Sequence, residues 1–239
     1  MDMQNSNSGS NHSKIYDLFY ELKIFGFSDK NTPDLTELSS SNAHVDTLMT
    51  LFMNNTSTRQ LAKKITQYNS AAVIGALAYK ANINWSGTKK LDEVTAVTGH
   101  DVTQSSPLPH FISSRHNFDQ ALLLIALMKT MIAASKADGY LSFDEQSDLL
   151  GAAEKLGFDA AGRAILSELL ESDISLAEII QYVKSEKHKS EVYLAAYFAI
   201  KGDNPLGRQF LKDLSIALSL PIGLSTYLEK QADLGIQNH

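Results

Sequence analysis

The chain contains no cysteine. This absence excludes disulfides, thiolate nucleophiles and cysteine metal ligands. It fits a reducing compartment. No apolar run approaches the roughly 20 residues that a transmembrane helix needs. Ala71-Ala-Val-Ile-Gly-Ala-Leu-Ala78 is far too short, and the apolar stretch from Ala121 to Ala134 is interrupted by Lys129 and Thr130. The opening, Met1-Asp-Met-Gln-Asn-Ser-Asn-Ser-Gly-Ser10, has neither a basic n-region nor an apolar core. No signal peptide is expected there, and residues 1–13 are expected to form a disordered tail.

Recognisable catalytic patterns are missing as well. There is no Gly-x-Ser-x-Gly elbow and no Ser/His/Asp set. Gly202-Asp-Asn-Pro-Leu-Gly207 reads as helix punctuation rather than a phosphate-binding loop. The histidines are scattered; His110 and His116 share a loop, but nothing near them completes a zinc pattern. No catalytic residue and no organic cofactor are expected. Proline is scarce, and Pro107 and Pro109 fall together among Ser105, Ser106, Ser113 and Ser114. Residues 101–116 are therefore expected to link a helical N-terminal region, 14–100, to a helical domain, 117–239.

What the chain does have is helical periodicity and unevenly placed charge. Its net charge is −6. Residues 138–180 hold ten acids against Lys155 and Arg163, a net of −8, whereas residues 181–212 carry +3. An acidic block of this size repels phosphate backbones, so nucleic acid is not an expected ligand. It can be a solvated helical surface or a docking face for a basic partner. Ile15, Leu18, Phe19 and Leu22 repeat at helical spacing, with Gly26 as a stop, and residues 28–45 read as loop. Thr58 to about Ala81 reads as a helix with a basic first half, Arg59, Lys63 and Lys64, and an apolar second half.

From Asn117 onward helices dominate. The stretch from Phe118 to Ile132 is apolar all round, which marks a central helix. Ser142-Phe-Asp-Glu145 and Ser175-Leu-Ala-Glu178 are capping boxes. Asp159 is placed to cap a third helix, and Asn204-Pro205 supplies a cap followed by proline at the first helical position. Residues 186–201 form a further helix, and Pro221 is expected to open the last one. No stretch sustains period-2 alternation, so no sheet is expected. The fold class is all-α: a bundle of six to seven helices preceded by a smaller helical N-terminal region.

Three segments carry a family resemblance: Met131-Ile-Ala-Ala-Ser-Lys-Ala-Asp-Gly139 leading into Leu141-Ser-Phe-Asp-Glu145; Glu191-Val-Tyr-Leu-Ala-Ala196; and Asp203-Asn-Pro205 with Phe210-Leu211 and Leu218-Ser-Leu-Pro221. Together they resemble the TerB-like (tellurite-resistance) C-terminal domain of the YebE-like family, bacterial proteins of unknown function. Asn54-Asn-Thr-Ser-Thr-Arg59, Lys63, Tyr68 and Gly75-Ala-Leu-Ala-Tyr-Lys80 are similar to that family's N-terminal segment. The resemblance covers about three quarters of the chain. It implies a TerB-like helical bundle, no assigned reaction, and metal binding through acidic residues. Family members also carry longer apolar stretches described as membrane-spanning. Here Leu48-Met-Thr-Leu-Phe-Met53 and Ala71 to Ala78 are short and broken, so the expected location is cytoplasmic, with association at the inner membrane.

The candidate site is the turn Asp138-Gly139 running to Glu145. In register with a calcium loop of the EF-hand type, Asp138 takes position five, Gly139 six and Glu145 twelve, but positions one and three fall on Ala134 and Lys136. One reading is structural: a turn with Gly139 at positive φ and Glu145 closing the capping box. The other is a divalent-cation site with Asp138 and Glu145 as ligands and Asp144 in support. The leading functional expectation is a non-enzymatic helical scaffold in envelope or stress physiology, binding a partner protein or its own copy. Peripheral membrane contact would run through residues 59–85, with Tyr79 and Trp85 at the interface, and the apolar stretch 71–78 would need cover, which favours a homo-oligomer.

Overall fold

A computed structural model describes residues 26–29, 32–34, 49, 52, 70–105, 114–137, 139, 141–155, 158–200 and 204–237. Among them nine α-helices dominate, and the fold is all-α. The helices are α1 (Ser70–Ser86), α2 (Gly99–Ser105), α3 (Ser114–Ser135), α4 (Phe143–Lys155), α5 (Ala160–Glu171), α6 (Leu176–Ile180), α7 (Glu186–Ala199), α8 (Pro205–Ala217) and α9 (Leu224–Leu234). Of the expected helix over 14–26, residues 14–25 lie outside the described residues, as do 58–69 and the tail 1–13, while Gly26, its expected stop, opens a short strand.

Most helix starts are fixed by a side chain that accepts an otherwise unpaired N–H. Asp159 accepts from Gly162, Ser175 from Glu178, and Asn204 from Gly207 with Pro205 at the first helical position. Ser185 caps α7 through His188 N; the start at Glu186 is as expected, and the cap itself is an addition to it. The last helix departs from expectation. Pro221 sits in a turn whose carbonyl accepts from Leu224 N at 3.1 Å, and α9 begins only at Leu224. The reason is Gly223, held at φ 82, a left-handed conformation that no helix can run through. An expected outcome at one cap is simple to check: Asn204→Ala should destabilise by about 1 kcal/mol, read as a shift in urea midpoint without change in slope.

Short strands are also present, contrary to the expectation of no sheet. Strand β1 (Gly26–Asp29) pairs antiparallel with β2 (Thr32–Asp34), with Phe27 opposite Pro33. Strand β3 (Val97–Thr98) pairs in parallel with β4 (Ile236–Gln237), and Val97 N donates to Gly235 O at 2.9 Å. Segments of two to four residues are too short to show alternation, which is why the pattern hid them.

The core is one continuous cluster running from α1 through α3 and α5 to α7, α8 and α9. Helix α3 is central as expected: from Ile125 to Ala134 every residue is buried. Helix α7 is the hub, packing on α3, α1, α9 and α8. Helix α1 packs on α9, α7 and α2, so its apolar face is covered within one chain. Ala72, Val73, Ile74, Ala76, Leu77 and Ala78 are all buried. That removes the apolar stretch 71–78 as a reason to expect an oligomer. Of the expected linker, residues 101–105 lie in α2 and 114–116 in α3, and 106–113 are outside the described residues.

Helix α2 owes its start to the Thr98 and Asp101 pair. Asp101 Oδ2 accepts from Thr98 N at 2.7 Å and from the Thr98 hydroxyl at 2.8 Å. The same oxygen accepts from Lys80 Nζ at 2.9 Å, tying α2 to α1. Burial pushes this carboxyl up, but the bonds from Thr98 and the Lys80 ammonium outweigh it and hold Asp101 at about 2. Its folded value lies below the ordinary one, so this tie is in place above pH about 4 and is lost as the pH falls toward 2.

Polar side chains then join α1 to α9. Gln231 is fully buried and donates to Thr95 O at 2.9 Å, while its Oε1 accepts from Asn84 at 3.4 Å. Tyr227 OH donates to Lys89 O at 2.6 Å.

Candidate functional site

The turn after α3 is built from backbone bonds. Ala137 N donates to Ala134 O at 3.1 Å and Gly139 N to Lys136 O at 3.0 Å. Gly139 has φ 132, as the turn reading requires. Asp138 lies outside the described residues. Glu145 closes the capping box in both directions. Its Oε2 accepts from Ser142 N at 2.9 Å, and Ser142 Oγ accepts from Glu145 N at 3.3 Å. Asp144 is exposed beside it in the first turn of α4. Among the described residues no three His, Asp or Glu side chains converge in a way that would hold a metal ion.

Lys136 is the residue here whose role was not legible. It occupies the loop position where a calcium site would need an acid, and its Nζ donates to Ser172 O at the C-terminal end of α5. A helix C-terminus favours a cation. Burial pulls the Lys136 ammonium below its ordinary range, and Asp173 pushes it back up. The turn is thus pinned to α5 by a resident ammonium.

A second polar centre lies inside the bundle. Lys129, on α3, is fully buried, and its Nζ stands 3.1 Å from Glu178 Oε2 on α6. The Tyr182 ring lies 5.6 Å from the same ammonium, within cation–π range. Glu178 also donates its backbone N–H to Ser175 Oγ. Ser175 therefore caps α6, but its glutamate reaches only the Ser175 hydroxyl at 3.4 Å and turns its other oxygen to Lys129. Sequence alone showed Lys129 only as an interruption of an apolar run.

A third set joins α7 to α9. Tyr193 OH donates to Glu229 Oε1 and Tyr197 OH to Asp233 Oδ1, each at 2.7 Å. Arg208 of α8 holds the other Glu229 oxygen at 2.9 Å. The spacing of four on both helices produces two parallel rungs. Burial, then the facing carboxylate, pushes both phenols far above their ordinary range.

The surface shows a concentrated apolar corner where α8 meets α9. Ile222 is 98% exposed and Ile216 66% exposed, flanking an open depression of about 310 Å³ lined also by Leu220 and Pro221 and by the polar Ser215, Ser219 and Ser225. Trp85 Nε1 on α1 donates to Ile222 O at 3.1 Å, which ties the corner to α1. Tyr79 and Ile83, four apart on α1, are about half exposed. Trp85, by contrast, is partly buried in this contact. Among the described residues no helix is long and apolar enough to cross a membrane.

A family model described as a protein of unknown function (DUF533) matches residues 39–232. No curated protein and no solved structure matches the chain.

Proposed function

The chain belongs to the DUF533 family of proteins of unknown function, and from that premise we propose that it is a non-enzymatic helical interaction module of the TerB-related, YebE-like kind. The observation that supports this best is the α8–α9 corner. Monomeric surfaces scatter single apolar residues, but Ile216 and Ile222 stand together beside a depression, at a turn fixed by Trp85. An apolar anchor whose backbone is already tied to a neighbouring helix has less backbone freedom to lose on docking.

The experiment places a photo-crosslinking residue at position 222, and separately at 216, in cells. One discrete protein adduct, shared by both positions and lost in the Ile216→Asp form of the 222 probe, is the expected result. Adducts at neither position would overturn the reading. Ile222→Asp itself should change stability by no more than about 0.5 kcal/mol, because that side chain is almost wholly exposed.

The cation reading keeps some support from Asp144 and Glu145 in the first turn of α4. Against it stand the Lys136 ammonium, seated where a ligand would be needed, and a Glu145 oxygen already engaged by Ser142. The expected outcome is therefore no change in melting temperature in millimolar calcium, magnesium, manganese or zinc. A ligand at a hundredfold excess over its Kd would add about 2.7 kcal/mol. A cation-specific rise that disappears in Asp138→Ala/Glu145→Ala would replace the interaction reading with a metal-binding one.

A further inference from the structure

Glu191 lies on the hub helix, only 4% exposed, between the buried Ser190 and Val192. Its Oε1 is 3.7 Å from Lys187 Nζ, one turn earlier on the same helix. Its Oε2 is buried without a hydrogen-bond partner. Across the interface α1 presents Gly75, and a Cβ built there would stand 3.3 Å from Oε1. The carboxyl is thus pressed against the backbone of α1 at the one point where α1 has no side chain to give way. An ionised carboxylate wants several donors. This one has a single long ion pair to an ammonium that is itself half exposed.

We propose that Glu191 is a proton-operated latch between α1 and α7: neutral, it lets α1 stay docked, and ionised, it drives toward water and loosens α1, uncovering the apolar face that runs from Ala72 to Ala78. The geometry supplies both halves of the device. The orphaned oxygen makes the charged form costly in place. Helix α1 is the neighbour that must move to admit water. Burial pushes the carboxyl up to about 7, against the downward pull of Lys187.

The folded chain therefore holds this proton more tightly than the unfolded one. Between the ordinary value of 4.5 and about 7 the folded state binds more protons, so docking weakens as pH rises through that window. Lys187 is the charge that acts on Glu191. Several charges on the other elements around α7 are already paired: Lys80 of α1 with Asp101, Lys129 of α3 with Glu178, Arg208 of α8 with Glu229, and Glu229 and Asp233 of α9 with Tyr193 and Tyr197 of α7 itself. His188, three residues before Glu191 on the same helix, is the imidazole to control for.

The test is amide hydrogen exchange of the full chain, corrected for intrinsic rates, at about pH 5.5 and about pH 8. In the wild type the opening equilibrium of residues 72–86 should rise roughly tenfold or more across that interval, as a proton bound more than one unit more tightly requires. Glu191→Gln, which mimics the neutral form, should flatten the rise, and His188→Gln should keep it. A rise that survives Glu191→Gln, or vanishes in His188→Gln, would overturn the latch. Should Glu191→Gln fail to fold, Lys187→Met decides the matter. Loss of that ammonium should move the midpoint of the opening to higher pH, and an unmoved midpoint would sink the proposal.

Discussion

Glu178→Ala is expected to destabilise the protein by about 3–5 kcal/mol, because it leaves a buried ammonium with no counter-charge. Lys129 is fully buried and Glu178 nearly so, with 3.1 Å between Nζ and Oε2. The Tyr182 ring at 5.6 Å offers the ammonium only a partial substitute. At roughly 2–4 °C per kcal/mol for a chain of this size, the melting temperature should fall by roughly 6–20 °C. The reciprocal change, Lys129→Ala, should cost a similar amount. Lys129→Met/Glu178→Leu together should recover most of the loss, since an apolar pair of similar volume avoids desolvating either charge. Thermal unfolding of the three variants checks this. Additive losses in the double variant would show that the two side chains act independently, and the pair would then carry no coupling.

The second large effect concerns α1. Leu77→Ala is expected to cost about 2–5 kcal/mol, as for other fully buried leucines. The informative part is how the loss appears. Helix α1 shares one continuous core with α3, α7 and α9. The truncation should therefore move a single unfolding transition of the whole molecule rather than melt a separate N-terminal unit. Trp85, the chain's one tryptophan, reports on the contact between α1 and the turn before α9. Its fluorescence and the far-UV signal of all the helices should shift together. Two transitions, with only the tryptophan signal moved, would make α1 an independently folding element.

Helix identity and most helix starts were legible, because each rests on short-range chemistry. Ser142 with Glu145, Asp159, Ser175 and Asn204 with Pro205 all act within three residues of themselves. The central place of α3 followed from its being apolar on every side. What escaped depends on distant partners. Lys129 meets Glu178 across 49 residues, and only the packing of α3 on α6 reveals the pair. Strand β3 needs β4 from the far end of the described chain. Lys136 looked like a defect in a cation loop until α5 placed Ser172 against it. Pro221 misled for a local reason: Gly223, two residues on, takes the left-handed conformation that ends the turn and moves the helix start to Leu224. The Glu191 segment was legible as a family motif, but its burial against Gly75 was not.

The joining of α1 to α9 has a consequence for the order of events during synthesis. Asn84 meets Gln231 across 147 residues, and Tyr227 meets Lys89 across 138. At about 5–20 residues per second, α1 waits roughly 7–30 s on the ribosome before α9 is made. Throughout that interval the face from Ala72 to Ala78 has no native cover from α9, and for most of it none from α7 either. Synonymous changes that slow translation between α1 and α9 should therefore lower the yield of folded protein without altering a single residue, because they lengthen the interval in which that face lies open to non-native contacts.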